Sequence, residues 1–274
     1  MQIDVGDIIQ VVAAVASCIA AVAAFWECRL FRKQMNAETY LQQNAKSLEY
    51  AQFFLNQIIP KSTYINLATQ PSGTIGEVNT KIADKNLEAF NAREFKSLTG
   101  LNPEQIFSRL KEEAYDGDSP FHKALLSAHS CLNMINPDVT LDISTCNQVD
   151  LEREPGMPQD VVDGIDSEVL WLEFDNVRTT LLNELELFAM AVNSGVADED
   201  ILFPSLHQVF FSITRTLYFS ICNTNKLGIA DRYYTHVTTL YLNWRKKYDA
   251  IQYKAKELDD GVNKSFQTKR RRML

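Results

Sequence analysis

Histidine is the side chain best suited to acid–base or metal chemistry near neutral pH, and this chain has four: His122, His129, His207 and His236. His122 and His129 stand seven residues apart, two turns along one helix face. A shared metal ion on a helix needs ligands three or four apart, so each is expected as a surface or capping residue. Glu184 and Glu186 with Arg178 are the next set. Paired carboxylates do acid–base work when burial raises one pKa, but these flank a leucine stripe and are expected to face solvent. The five cysteines (Cys18, Cys28, Cys131, Cys146, Cys222) are scattered and contain no CxxC pair. They predict reduced thiols, not a disulfide framework or a zinc site. The chain lacks a GxxxxGK[ST] loop, a GxGxxG turn, a GxSxG elbow and an HExxH pair. The expectation is a protein without catalytic residues, cofactor, metal or small-molecule substrate.

Charge narrows the class of partner. Thirty-five acids against 27 bases leave a net charge of −8, the wrong sign for a general nucleic-acid binder. The bases that do cluster lie at two places. Arg29, Arg32 and Lys33 follow the first apolar segment, and Lys269, Arg270, Arg271 and Arg272 end the chain. Both could meet anionic lipid headgroups, and the second could meet a phosphate backbone held in a partner complex. A solubilising tail explains the second cluster equally well. The aromatic set Tyr233, Tyr241, Trp244, Tyr248 and Tyr253 reads as core and rim.

The elements that must carry these residues are helices, because ten glycines and eight prolines in 274 residues leave room for long uninterrupted segments. The first is the most apolar. Nineteen uncharged residues separate Asp7 from Glu27, about 28 Å of helix against a hydrocarbon layer of about 30 Å. Ile8, Ile9, Val12, Val15, Ile19, Val22 and Phe25 drive insertion, and Trp26 marks the interface. By the positive-inside rule the bases after it set the N-terminus outside and the rest in the cytoplasm. A helix buried in the protein itself is the competing reading. Ala13, Ser17 and Ala21 form a small-residue face on which spans could pack.

Leu30, Gln34, Ala37, Leu41, Ala45, Leu48, Gln52 and Leu55 keep helical spacing as far as Pro60, which is expected to end that helix. "ATQPSGTIG" (68–76) reads as a loop, and 78–97 as a helix. Asn102-Pro103-Glu104-Gln105 predicts a capping box opening the next helix, and Ser119 caps another. Residues 136–166 read as an acidic irregular loop. Three amphipathic helices follow. Their stripes are Leu170 to Val192, ended by Gly195; Leu206 to Ile221, capped by Asp198; and Ile229 to Leu258.

The stretch "LLNELELFAMAVNSGVADEDI" (Leu181 to Ile201), together with the N-terminal span, resembles a family of bacterial membrane-anchored proteins catalogued as a domain of unknown function. Some of its relatives are described as phage abortive-infection proteins. The resemblance covers the span and roughly 167–248, implies a membrane-tethered helical domain, and carries over no active site.

The expected fold is all-α: an N-terminal transmembrane helix continuing into a long cytoplasmic helix, then a helical bundle. Its expected parts are a transmembrane anchor (1–28), juxtamembrane and N-terminal helices (29–135), the acidic loop (136–166), a three-helix bundle core (167–260) and a basic tail (261–274). The expected function is a non-enzymatic effector or accessory of a bacterial anti-phage system at the inner membrane. Its partners would be membrane lipid and either a second copy or another protein, with nucleic acid only inside a partner complex. A passive tethered adaptor that docks a protein or nucleoprotein is the alternative.

Overall fold

Pro60 does not end the first helix of the computed structural model, which describes residues 29, 33, 38–135, 166–225 and 232–271. α1 (38–53) passes through a single π-helical segment, Phe54–Ile58, directly into α2 (Ile59–Thr69). Proline lacks an N–H and its ring collides with the carbonyl four residues back. The π segment removes the conflict: the N–H of Ile59 bonds the carbonyl of Phe54, five residues back, and Pro60 falls in the first turn of α2. The sequence rule was right about the missing bond and wrong about the remedy.

The stretch expected as a loop shrinks to one turn. Ser72 accepts from the N–H of Ile75 and opens α3 (Gly73–Ile82). Glu113, from further along the chain, reaches over to take the Ser72 hydroxyl at 2.8 Å and the Thr74 N–H at 3.3 Å. A carboxylate at a helix start also suits the helix dipole. The helix expected over 78–97 is in fact the end of α3, an irregular segment, and α4 (Ala92–Thr99). α5 (Pro103–Tyr115) starts as expected, with the Gln105 side chain accepting from the Asn102 N–H at 2.9 Å. Ser119 accepts from the His122 N–H and opens α6 (Pro120–Ile135).

α7 (Ser167–Asn193) buries its whole expected stripe from Leu170 to Val192. Gly195 follows with φ 73°, and Asp198 accepts from the Asp200 N–H to open α8 (Glu199–Thr216). The stripe expected to run unbroken to Ile221 is split at Leu217 between α8 and α9 (Tyr218–Thr224). α10 begins at Thr235 and continues to Arg271, so the described part of the expected basic tail, 261–271, is helical.

One apolar core runs through all of these elements, from Phe54 on the π segment to Trp244 on α10. At its centre Phe188 lies 4.8 Å from Phe54 and 6.3 Å from Trp244, ring centre to ring centre. Phe203 and Phe210 of α8 close on Trp244 at 5.6 and 5.2 Å. Offset and edge-on aromatic contacts of this kind add to area burial.

The all-α class is observed, but the membrane part of the expectation is corrected. Among the described residues no helix is long and apolar enough to cross a membrane. The expected span (Ile8, Ile9, Val12, Val15, Ile19, Val22, Phe25 and Trp26, with its face Ala13, Ser17, Ala21) lies outside the described residues. The long helix does not stand apart as a stalk: α2 packs on α6 and α7, and α1 is tied to the turn before α8 through Gln43 and Ser47.

Candidate functional site: a cleft between an anchored loop and the last helix

The segment between α3 and α4 has no regular structure, yet it is among the most heavily anchored backbones in the molecule. Arg215 of α8 donates from one nitrogen to the carbonyls of Ile82, Ala83 and Lys85, at 2.7, 2.9 and 3.0 Å. These include the C-terminal carbonyls of α3, where a cation is favoured. Glu94 takes the other end. Its two oxygens accept from the N–H groups of Glu88, Ala89 and Phe90 at 2.7–2.9 Å, and from the Tyr218 hydroxyl at 2.7 Å. Asn225 donates to the Phe90 carbonyl at 3.0 Å and accepts from the Tyr233 N–H at 2.7 Å, which ties the same loop to the approach to α10.

Phe90 shows what this anchoring does. It has φ 49°, a left-handed conformation that a residue with a Cβ rarely adopts. Its ring is fully buried, edge-on to Tyr218 at 5.4 Å and to Tyr241 at 5.2 Å. Core packing and two side-chain hydrogen bonds over-determine a backbone that would otherwise relax, and such strain collects at working sites.

Between this loop and α10 lies a cleft of about 360 Å³, at the small end of the range of ~300–1,000 Å³ for ligand sites. Leu87 and Leu242 supply apolar wall, Lys85, Arg245 and Lys246 supply positive charge, and Glu88 and Asp249 supply negative charge. Lys85 and Lys246 are exposed and have no carboxylate partner among the described residues. Arg245 Nε sits 3.3 Å from Asp249 but makes no hydrogen bond of good angle. Tyr241 is 2% exposed, lines the cleft, and has no hydrogen-bond partner for its hydroxyl among the described residues. Burial pushes its phenol above the usual range, with the Arg215 and Arg245 charges partly opposing, so it is a donor at neutral pH. The cleft therefore sets three cations and a phenolic donor against two carboxylates, one of them paired with Arg245, a surplus of donors and of one positive charge that suits an anion.

The residues singled out from sequence do not come together. His122 is buried, its Nδ1 2.7 Å from the Ala114 carbonyl at the end of α5. His129 pairs with Glu173 of α7 at 2.6 Å. His207 stacks on Phe203, and the N–H of His236 donates to Glu186. Glu184 was expected in solvent but forms a largely buried ion pair with Lys61 at 2.8 Å. Glu186 also accepts from the Val237 N–H, capping α10, and Arg178 pairs with Asp175 over the Phe107 ring. Cys222 is buried and its thiol is pushed well up by that burial, which leaves it inert. Among the described residues no group of three or more His, Cys, Asp or Glu could hold a metal ion. Arg29 and Lys33 are helical and exposed, whereas Arg32 and Arg272 lie outside the described residues. Lys269, Arg270 and Arg271 stand on the last turns of α10.

Sequence reasoning missed the cleft. Lys85, Arg245 and Lys246 are lone bases in mixed-charge segments, and nothing in their local pattern says that two elements 160 positions apart meet there. Phe90 carries no turn signal either, since no glycine or asparagine sits at the left-handed position.

Comparison with known proteins returns no match: no family model, no curated protein and no solved structure aligns with the chain. The expected role in anti-phage defence at the inner membrane, and its alternative as a membrane-tethered adaptor, are therefore withdrawn. The expected lipid partner goes with them, because among the described residues no helix could span a bilayer.

Proposed function

We propose that this chain is a helical binding protein whose cleft between 85–88 and α10 holds a small anionic ligand of the organic phosphate class, and that it binds rather than catalyses. The observation that carries this reading is a donor set shared by the strained loop and α10: Lys85 from the loop, and Tyr241, Arg245 and Lys246 from α10, line one cleft, with Arg245 alone in an ion pair, to Asp249. The anionic head would sit against the three cations and a short apolar portion against Leu87 and Leu242. Preorganised loops on a rigid scaffold bind at low ordering cost.

Calorimetric titration of the full chain with inorganic phosphate and with glycerol phosphate tests the reading. Each should bind more weakly as salt is raised, with glycerol phosphate the tighter of the two. Lys85→Glu combined with Lys246→Glu should weaken binding at least about tenfold, or about 1.4 kcal/mol. Both side chains are exposed, so the fold should be indifferent to the change. No heat at millimolar probe, or equal affinity in the double variant, would end the proposal.

A further inference from the structure

Opposite charges line the cleft without neutralising one another. Lys85 and Glu88 come from the loop and Lys246 from α10, and among the described residues none of the three has an ion-pair partner. Arg245 and Asp249, the other two charges in the wall, answer each other at 3.3 Å. The backbones that carry the unanswered charges are held in place. Arg215 binds the Lys85 carbonyl at 3.0 Å, Glu94 accepts from the Glu88 N–H at 2.7 Å, and Leu87 between them is buried. Lys85 and Glu88 therefore leave pinned positions on either side of a buried leucine, and Lys246 leaves a helix that Trp244 fastens to the core.

We infer that the ligand is an organic phosphate that also carries a primary ammonium group, with the phosphate on Lys85, Lys246, Arg245 and the Tyr241 phenol and the ammonium on Glu88. The inference rests on the anion-binding reading above and narrows its ligand class. Three cations against two carboxylates leave the wall with a net charge of +1. A simple phosphate monoester brings close to two negative charges near neutral pH and sets them beside the carboxylate of Glu88. An aminoalkyl phosphate brings a net charge of about −1, opposite to that of the wall, and gives the one unanswered carboxylate a cation. Unpaired, that carboxylate opposes a bound anion; paired, it makes a charge-assisted hydrogen bond. Glu88 thus selects between two ligands that the cations alone would treat alike.

Calorimetric titration of the full chain with aminoethyl phosphate, in parallel with glycerol phosphate, tests this selection. Aminoethyl phosphate should bind about tenfold more tightly. Glu88→Gln keeps the length of the side chain and removes its charge. It should weaken aminoethyl phosphate and strengthen glycerol phosphate, whereas a merely structural role for Glu88 would move both in the same direction. If neither compound binds, the anion-binding reading fails and this inference fails with it. If glycerol phosphate binds and aminoethyl phosphate binds no better, the reading stands and this inference alone is overturned. A preference that survives Glu88→Gln overturns it too, since the ammonium would then sit elsewhere. The same group occurs as a lipid headgroup, but there it is a phosphodiester with a single negative charge, a poorer match to three cations. The chain should stay in the supernatant when vesicles of phosphatidylcholine and phosphatidylethanolamine are sedimented, and co-sedimentation would overturn the assignment to a soluble monoester.

Discussion

Glu173 and Glu184 are buried or nearly so on α7, and each has one cation to answer it: His129 from α6 and Lys61 from α2. A buried carboxylate without a partner is costly, so these contacts matter more than surface ion pairs do. The hydrogen bond that His129 donates to Glu173, aided by the carboxylate's charge, holds His129 above the usual imidazole range against the opposing effect of burial. Burial and the same carboxylate push the neighbouring Tyr64 phenol well up, so Tyr64 stays neutral. The sign for stability follows from His129. Its folded pKa lies above that of the unfolded chain, so its contribution is complete below about pH 6.5 and fades as pH climbs through the folded value. Urea unfolding between pH 5.5 and 9 should therefore show stability falling with pH in the parent. His129→Gln should flatten that slope, and an identical slope in both would refute the assignment.

At the scale of elements, the consequential unit is the irregular segment between α3 and α4. Its order comes from Glu94, Arg215 and Asn225 rather than from its own hydrogen bonding. Glu94→Ala would leave three loop N–H groups and the Tyr218 hydroxyl without their acceptor. The expected loss is about 3 kcal/mol of stability, measured by denaturant titration, and faster amide exchange at 88–90. Phosphate binding should fall with it, because the cleft wall would no longer be preset. Legibility here divides cleanly. The caps at Asn102, Ser119 and Asp198 are local, so a few adjacent residues suffice to recognise them. The acceptor for the loop amides is also near in sequence, but a glutamate four to six residues downstream resembles any surface acid until its oxygens are placed.

Over the whole molecule, the core is continuous and is knotted at Phe188, which touches the π segment, α8 and α10 at once. Phe188→Ala should cost about 3–5 kcal/mol and, because one core serves every element, should lower a single cooperative transition rather than split it; calorimetry distinguishes the two. Periodicity established that this chain is helical and which face of α7 is buried, and the cap at Asp198 established where α8 begins, since those properties depend on residues within one segment. It could not decide which amphipathic faces find a partner. Leu41 and Leu48 of α1 keep the same kind of spacing as the α7 stripe, yet they are exposed and it is buried, because burial depends on what the rest of the chain brings opposite. The same holds for Glu184, read as solvent-facing until Lys61 arrived from α2, and for the cleft, whose bases come from two separate segments. Local order is written in neighbouring residues, whereas environment, charge pairing and the site belong to contacts between distant ones.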